Sequence, residues 1–227
     1  MSDTSYLYRH PQDRNLWIYN GYFYNGMPLI WQKGPFIYNY LQRLDETIQG
    51  ALNDHADIMA VRVDLRLPLH SNTASYPIER PVFNRFIESL KAKIAARQAK
   101  TVRKGKRFHR TKVHYAWTRE FGHTGNAHYH CVLFFNKQTF QGLGEFNPHS
   151  GSLYSMISGA WANALRLDQS VADALIHIPE NPIYRINRKE KYNALFYRIS
   201  YFAKLATKQF GTKSHNFGTS RTKQGTL

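Results

Sequence analysis

The stretch Glu120-Phe-Gly-His-Thr-Gly-Asn-Ala-His128-Tyr-His130-Cys-Val-Leu-Phe-Phe135 joins an acid, a turn and an apolar strand that opens on two histidines. Side chains on a strand alternate between faces, so His128 and His130 point one way while Tyr129, Cys131, Leu133 and Phe135 point the other. A hairpin around 122–126 that sets Glu120 opposite His128 carries the carboxylate to the histidine side, because directly opposed residues of an antiparallel ladder share a face. Two imidazoles and a carboxylate, with positions left for other ligands, suit Mg2+ or Mn2+ and also zinc.

Upstream, a strand is predicted over 58–67, stopped by Pro68. Val61, Val63, Leu65 and Leu67 share one face, and Arg62, Asp64 and Arg66 the other, where Asp64 can adjoin the histidines. Apolar residues at helical spacing predict helices over 35–53 and 81–99 and a third carrying Leu153, Ile157, Trp161 and Leu165. Residues 174–186 read as one or two edge strands broken at Pro179 and Pro182. The first forty residues are dense in tyrosine and tryptophan, with Asn20-Gly21 and Asn25-Gly26 as two tight turns. Their rings read as a layer packed on the domain, with stacking on unpaired bases as the functional alternative.

Charge narrows the function. In 227 residues, 31 Lys and Arg stand against 15 Asp and Glu, a net charge of +16, which points to a polyanion and most often to nucleic acid. A membrane role is disfavoured: no apolar run reaches the roughly 20 residues of a spanning helix, and the first residues lack the pattern of a signal peptide. The single cysteine, Cys131, excludes an internal disulfide framework and fits a reducing compartment. On the face away from the histidines, it reads as a small buried apolar residue. The densest basic run, 100–112, offers Lys100, Arg103, Lys104, Lys106, Arg107, Arg110 and Lys112 as phosphate contacts just before the strand that leads to Glu120.

A last helix is predicted over 189–210, closed by Gly211. Its apolar stripe is Leu195, Ile199, Phe202 and Ala206, and Tyr197, Tyr201, Lys204 and Lys208 share the opposite, exposed side. A phenol with a pKa of about 10 is a poor nucleophile; an ammonium one turn away favours the phenolate and can bind the phosphate under attack. Tyrosine displaced onto phosphorus gives a phosphotyrosine, and a metal that polarises the phosphoryl oxygen lowers that barrier. The metal hairpin and the Tyr/Lys helix read as two halves of one nicking site.

The order of acid, His-hydrophobic-His strand and Tyr-x-x-Lys helix resembles the HUH endonucleases, the group of rolling-circle replication initiators and relaxases. More narrowly, VRVDLRLP, YAWTRE followed by HYHCVLFFN, and FYRISYFAKLATK with a later NFGTSR are similar to the inovirus replication-protein family that includes the YagK/YfjJ-type domains of bacterial prophages and satellites. The resemblance runs from about residue 57 to the end. It implies that His128 and His130 are metal ligands, Tyr201 the nucleophile and Lys204 its helper, since Tyr201 has a lysine three residues on. Tyr197 has Ser200 in that place and is either a second nucleophile or a substrate contact. Glu120 follows as third ligand from the hairpin geometry and from a similarly placed acid in related initiators, with Asp64 and His123 as its competitors; Lys208 joins the DNA contacts.

The fold expected is α+β, a central antiparallel sheet in the split β-α-β, RRM-like manner with helices on one face. Residues 1–56 form an aromatic segment and helix packed on the core, 57–212 the endonuclease core and 213–227 a basic tail. The function expected is metal-dependent nicking and joining of single-stranded or origin-hairpin DNA through a 5′-phosphotyrosine, leaving a 3′-hydroxyl primer for rolling-circle replication in the cytoplasm of a bacterial host, with host helicase and polymerase as partners. A relaxase or transposase with the same chemistry, a non-catalytic DNA- or RNA-binding regulator and a zinc hydrolase are the alternatives.

Overall fold

The computed structural model describes residues 6–68, 82–121, 127–210 and 215–221. The N-terminal part comprises β1 (Tyr6–Arg9), β2 (Trp17–Asn20), β3 (Phe23–Tyr24), β4 (Met27–Pro28), a 3-10 turn (Trp31–Lys33), β5 (Phe36–Ile37) and α1 (Tyr38–Asp54). There follow β6 (Asp57–Arg66), α2 (Val82–Arg103), β7 (His114–Phe121), β8 (Ala127–Asn136), α3 (Leu153–Leu165), α4 (Gln169–Asp173), β9 (Ile176–His177), β10 (Ile183–Asn187), α5 (Asn193–Ser200), a 3-10 turn (Tyr201–Ala203) and β11 (Phe217–Thr219).

The main sheet has the order β10-β6-β8-β7-β11, and β9 pairs with β6 beyond β10. Every pairing in it is antiparallel. With α2 between β6 and β7 and α3 between β8 and β10, the strands form the interleaved split β-α-β arrangement of an α+β fold. Pro179 and Pro182 fall between β9 and β10, as expected for residues that cannot donate to a ladder.

Period-two alternation sorts the side chains into two layers. Met59, Val61, Val63 and Leu65 of β6 and Tyr129, Cys131, Leu133 and Phe135 of β8 pack against α2 and α3. Ile58, Ala60, Ala116, Val132 and Phe134 pack against residues of α1 and α5. Helices on one face therefore describes α2 and α3. The opposite face, expected to be open, is covered by α1 and α5 at one end. Further along that same face the apolar residues give way to His130 and His128, so a single surface of the sheet is core at one end and site at the other.

The N-terminal strands make a small sheet, β1-β2-β5, and a β3-β4 hairpin. Asn25 and Gly26 turn the hairpin at φ 48° and 74°, the positive values a two-residue turn demands. Asn20-Gly21 does not form the expected tight hairpin turn: β2 pairs with β1 and β5. Gly21 serves packing instead, since a Cβ there would stand 2.3 Å from the Tyr19 ring. The aromatic residues divide. Tyr24 and Phe36 are buried in the layer shared with α5, whereas Tyr6, Tyr8, Tyr22, Phe23 and Trp31 are exposed.

Part of the expected tail closes the sheet, as β11 pairs with β7. Nearby, buried His114 ties three elements together. Its Nε2 lies 2.6 Å from Asp54 Oδ2 at the end of α1, and its Nδ1 lies 3.4 Å from the Ser220 hydroxyl. Burial pushes the imidazole below its ordinary pKa of 6.5 and outweighs the hydrogen bond to Asp54. The unfolded chain thus binds that proton more readily than the fold, and stability contributed by neutral His114 is lost as pH falls through about 6.5. His114→Gln is expected to flatten the drop in urea midpoint between about pH 7 and 5; a drop as steep as that of the parent chain counts against the assignment.

Candidate active site

The pairing register fixes the metal half. Glu120 lies opposite His128, and His130 is flanked by Thr118 on β7 and Asp64 on β6. The three side chains expected to share a face do so. His128 Nε2 is 3.1 Å from His130 Nε2, His130 Nε2 is 3.5 Å from Glu120 Oε2, and one donor atom from each residue lies within 4.8 Å of the others. Nitrogens 3.1 Å apart have the spacing of adjacent ligands on a six-coordinate ion with bonds of about 2.2 Å, and imidazole and carboxylate are both donors to divalent ions. Glu120, His128 and His130 could thus hold a divalent ion.

Asp64 has a different place from the ligand position it competed for. Its Oδ1 meets His130 Nδ1 at 2.7 Å and Arg62 at 3.0 Å. A carboxylate on Nδ1 orients the ring and leaves Nε2 for the ion. Asp64→Asn is expected to weaken Mn2+ binding by about 10- to 100-fold, measured by titration calorimetry; unchanged affinity removes Asp64 from this role. His123 lies outside the described residues.

The tyrosine half departs from the expected long helix. α5 ends at Ser200, a 3-10 turn carries Tyr201, and Lys204 has extended backbone, with ψ 138°. The cause is tertiary: Lys204 forms a β-bridge with Phe36, Leu205 donates its N–H to Pro35, and the Ser200 hydroxyl accepts from the Ile30 N–H at 3.0 Å. Phe202 and Ala203 are buried by the turn, while Ala206 is exposed. Even so, Tyr201 reaches the triad. Its hydroxyl donates to Glu120 Oε2 at 3.1 Å and accepts from the Lys204 ammonium, which itself lies 2.9 Å from Glu120 Oε2.

Charge around Glu120 is closely balanced. Burial opposes ionisation, but the hydrogen bond from His130 and the Lys208 and Lys204 charges hold its carboxyl well below the usual range. Lys208, expected among the DNA contacts, is buried against Glu120 Oε1 at 3.2 Å, and burial pulls it down to about 8 against the pull of that carboxylate. Tyr201 is pushed up, first by burial and then by the Glu120 charge, while Lys204 acts the other way. The lysine thus offsets an upward shift; it does not lower the phenol below its ordinary value. His130 is raised, its bonds to Asp64 and Glu120 prevailing over burial.

Tyr197, one turn before Tyr201, is 38% exposed, and among the described residues no bond joins its hydroxyl to the triad. The basic run is also set apart. Lys100, Arg103, Lys104, Lys106, Arg107 and Arg110 are exposed, but they precede β7 at the end opposite Glu120. Glu120 lies six steps along the strand from His114, about 20 Å. Lys112 is paired with Asp54 at 2.7 Å. Cys131 is fully buried, donates to the Val63 carbonyl, and its thiol is pushed up by burial. Sequence reasoning placed Arg62 on the Asp64 face without a role at the site and passed over His177. Arg62 is buried with its guanidinium 4.7 Å from the Phe202 ring, and His177 on β9 lies 3.4 Å from Asp64. The alternation of Arg62 and Asp64 along β6 was the available signal for the first.

No solved structure matches this chain. Among curated proteins it is similar to the uncharacterized protein YagK of Escherichia coli (strain K12), 34% identical over 198 residues that cover 83% of this chain and 95% of the relative. It is also similar to the uncharacterized protein YfjJ of the same strain, 33% identical over 200 residues that cover 83% and 96%. The family model for the YagK/YfjJ C-terminal domain matches residues 20–220, which include the whole candidate site, and the chain belongs to that family.

Proposed function

We propose that this protein is a metal-dependent single-strand DNA nickase and joining enzyme that starts rolling-circle replication of a phage, satellite or plasmid. The observation that carries the reading is the convergence of the Tyr201 hydroxyl and the Lys204 ammonium on the carboxylate of the Glu120, His128 and His130 cluster. A divalent ion held there supplies Lewis-acid polarisation of a phosphoryl oxygen.

The chain's own residues do the rest. Tyr201 presents its oxygen to phosphorus, and Lys204 stabilises negative charge on that oxygen as the phenol proton passes to solvent. The O–P bond to tyrosine forms as the bond to the 3′-oxygen breaks; the 5′-phosphate stays on Tyr201, and the 3′-oxygen takes up a proton to become a primer hydroxyl. Reversal rejoins the strand with no other energy source, because the phosphotyrosine retains the ester bond. Net charge of +16 supports a nucleic-acid substrate, and the exposed run before β7 supports phosphate contacts away from the cut.

The test is incubation with origin-bearing single-stranded oligonucleotide and Mn2+, followed by denaturing electrophoresis. A denaturation-resistant protein–DNA adduct with a free 3′-hydroxyl is expected. Binding without cleavage on every origin hairpin of its own replicon would instead make the chain a non-catalytic regulator.

A further inference from the structure

Tyr22 and Trp31 are among the exposed aromatic side chains of the N-terminal layer and belong neither to the core nor to the reaction. Tyr22 and Trp31 meet edge to face with ring centroids 5.7 Å apart, and they are 55% and 54% exposed. Two exposed rings in contact present a joined apolar surface of the kind that a ligand can cover. Their location makes the ligand specific. Ile30, the residue before Trp31, donates its N–H to Ser200, the residue before Tyr201. The backbone then runs alongside the reacting segment, through the Leu205 N–H to Pro35 bond and the Phe36 bridge to Lys204. Trp31 is therefore fastened to the segment that carries the nucleophile. Exposed Tyr197 occupies the preceding turn of that segment.

Positive charge flanks the same chain segments. Lys33 is exposed two residues beyond Trp31. At the other end of the reacting segment, the His10 ring packs on Phe210 with centroids 4.1 Å apart, beside a hollow lined by Arg9, His10, Pro11 and Arg14. Flat apolar faces interspersed with cations fit unpaired bases joined by phosphates, and every base has a face to stack. We infer that Tyr22 and Trp31 form a stacking platform for a base of single-stranded DNA next to the scissile phosphate, so that the N-terminal layer is part of the substrate channel. The inference rests on the nickase reading for its substrate.

Both rings are half exposed, so their removal leaves the core intact. In the full chain carrying Tyr201→Phe, which silences chemistry, Trp31→Ala is expected to weaken binding of fluorescein-labelled oligothymidylate about 10-fold, Tyr22→Ala to weaken it less, and Trp31→Phe to retain most of the affinity. Equal affinity in all three overturns the platform and leaves the pair as a surface for a protein partner. If the platform fails while the parent chain still forms its covalent adduct, the nickase reading stands alone. If binding depends on Trp31 but no adduct forms on any origin DNA, the platform stands and the nickase reading falls.

Discussion

Tyr201→Phe is expected to form no covalent adduct with single-stranded DNA and to lower nicking by at least about 1,000-fold, while oligonucleotide binding and folding are retained. The size of the effect follows from the geometry. The phenylalanine keeps the ring packed against His130, whose centroid is 5.5 Å away, but removes the oxygen that must bond to phosphorus. The lost hydrogen bond to Glu120 costs about 1 kcal/mol of stability, which a thermal melt can register and a folded enzyme can bear. Electrophoresis of radiolabelled oligonucleotide after denaturation reads the outcome. An adduct that survives in Tyr201→Phe and vanishes in Tyr197→Phe would transfer the nucleophile to Tyr197, against the placement of the Lys204 ammonium.

His130→Ala should have the second largest effect, and its direct readout is the ion. Loss of an outer partner such as Asp64 typically costs up to about 100-fold in affinity; removal of the imidazole it orients takes away a donor as well, so Mn2+ affinity should fall by at least that factor. The same substitution leaves Asp64 with Arg62 and the more distant His177, which limits the damage to the fold. Calorimetry with Mn2+ measures the first effect and chemical denaturation the second. Retained affinity in both His130→Ala and His128→Ala would show that the cluster is a hydrogen-bonded surface pair and not an ion site.

Much of this site was legible along the strands because strand geometry is local. Two-residue alternation placed His128 and His130 together, and the short connection to β7 brought Glu120 opposite His128 in the observed register. The same rule separated Cys131 and Tyr129 into the core, where Arg119 donates a hydrogen bond to the Tyr129 hydroxyl. What escaped were features set by distant partners. Helical periodicity continues past Ser200, but the pairing of Lys204 with Phe36 stops the helix, and no window of sequence contains both residues. Lys208 looked like a free cation on a helix face, yet the chain that leaves the helix turns it inward to Glu120. Asn20-Gly21 had a turn's composition, but β2 found its partners at β1 and β5. The basic run is exposed, while its distance from Glu120 depended on the direction in which β7 crosses the sheet.

The two ammonium groups on Glu120 have a consequence for how the protein is made. A carboxylate enclosed with a pair of imidazoles normally needs an ion to relieve its charge, which ties assembly to metal supply. Here Lys204 and Lys208 already provide counter-charge, so the Glu120 carboxylate is balanced within the folded polypeptide itself and the surrounding sheet can form without waiting for an ion.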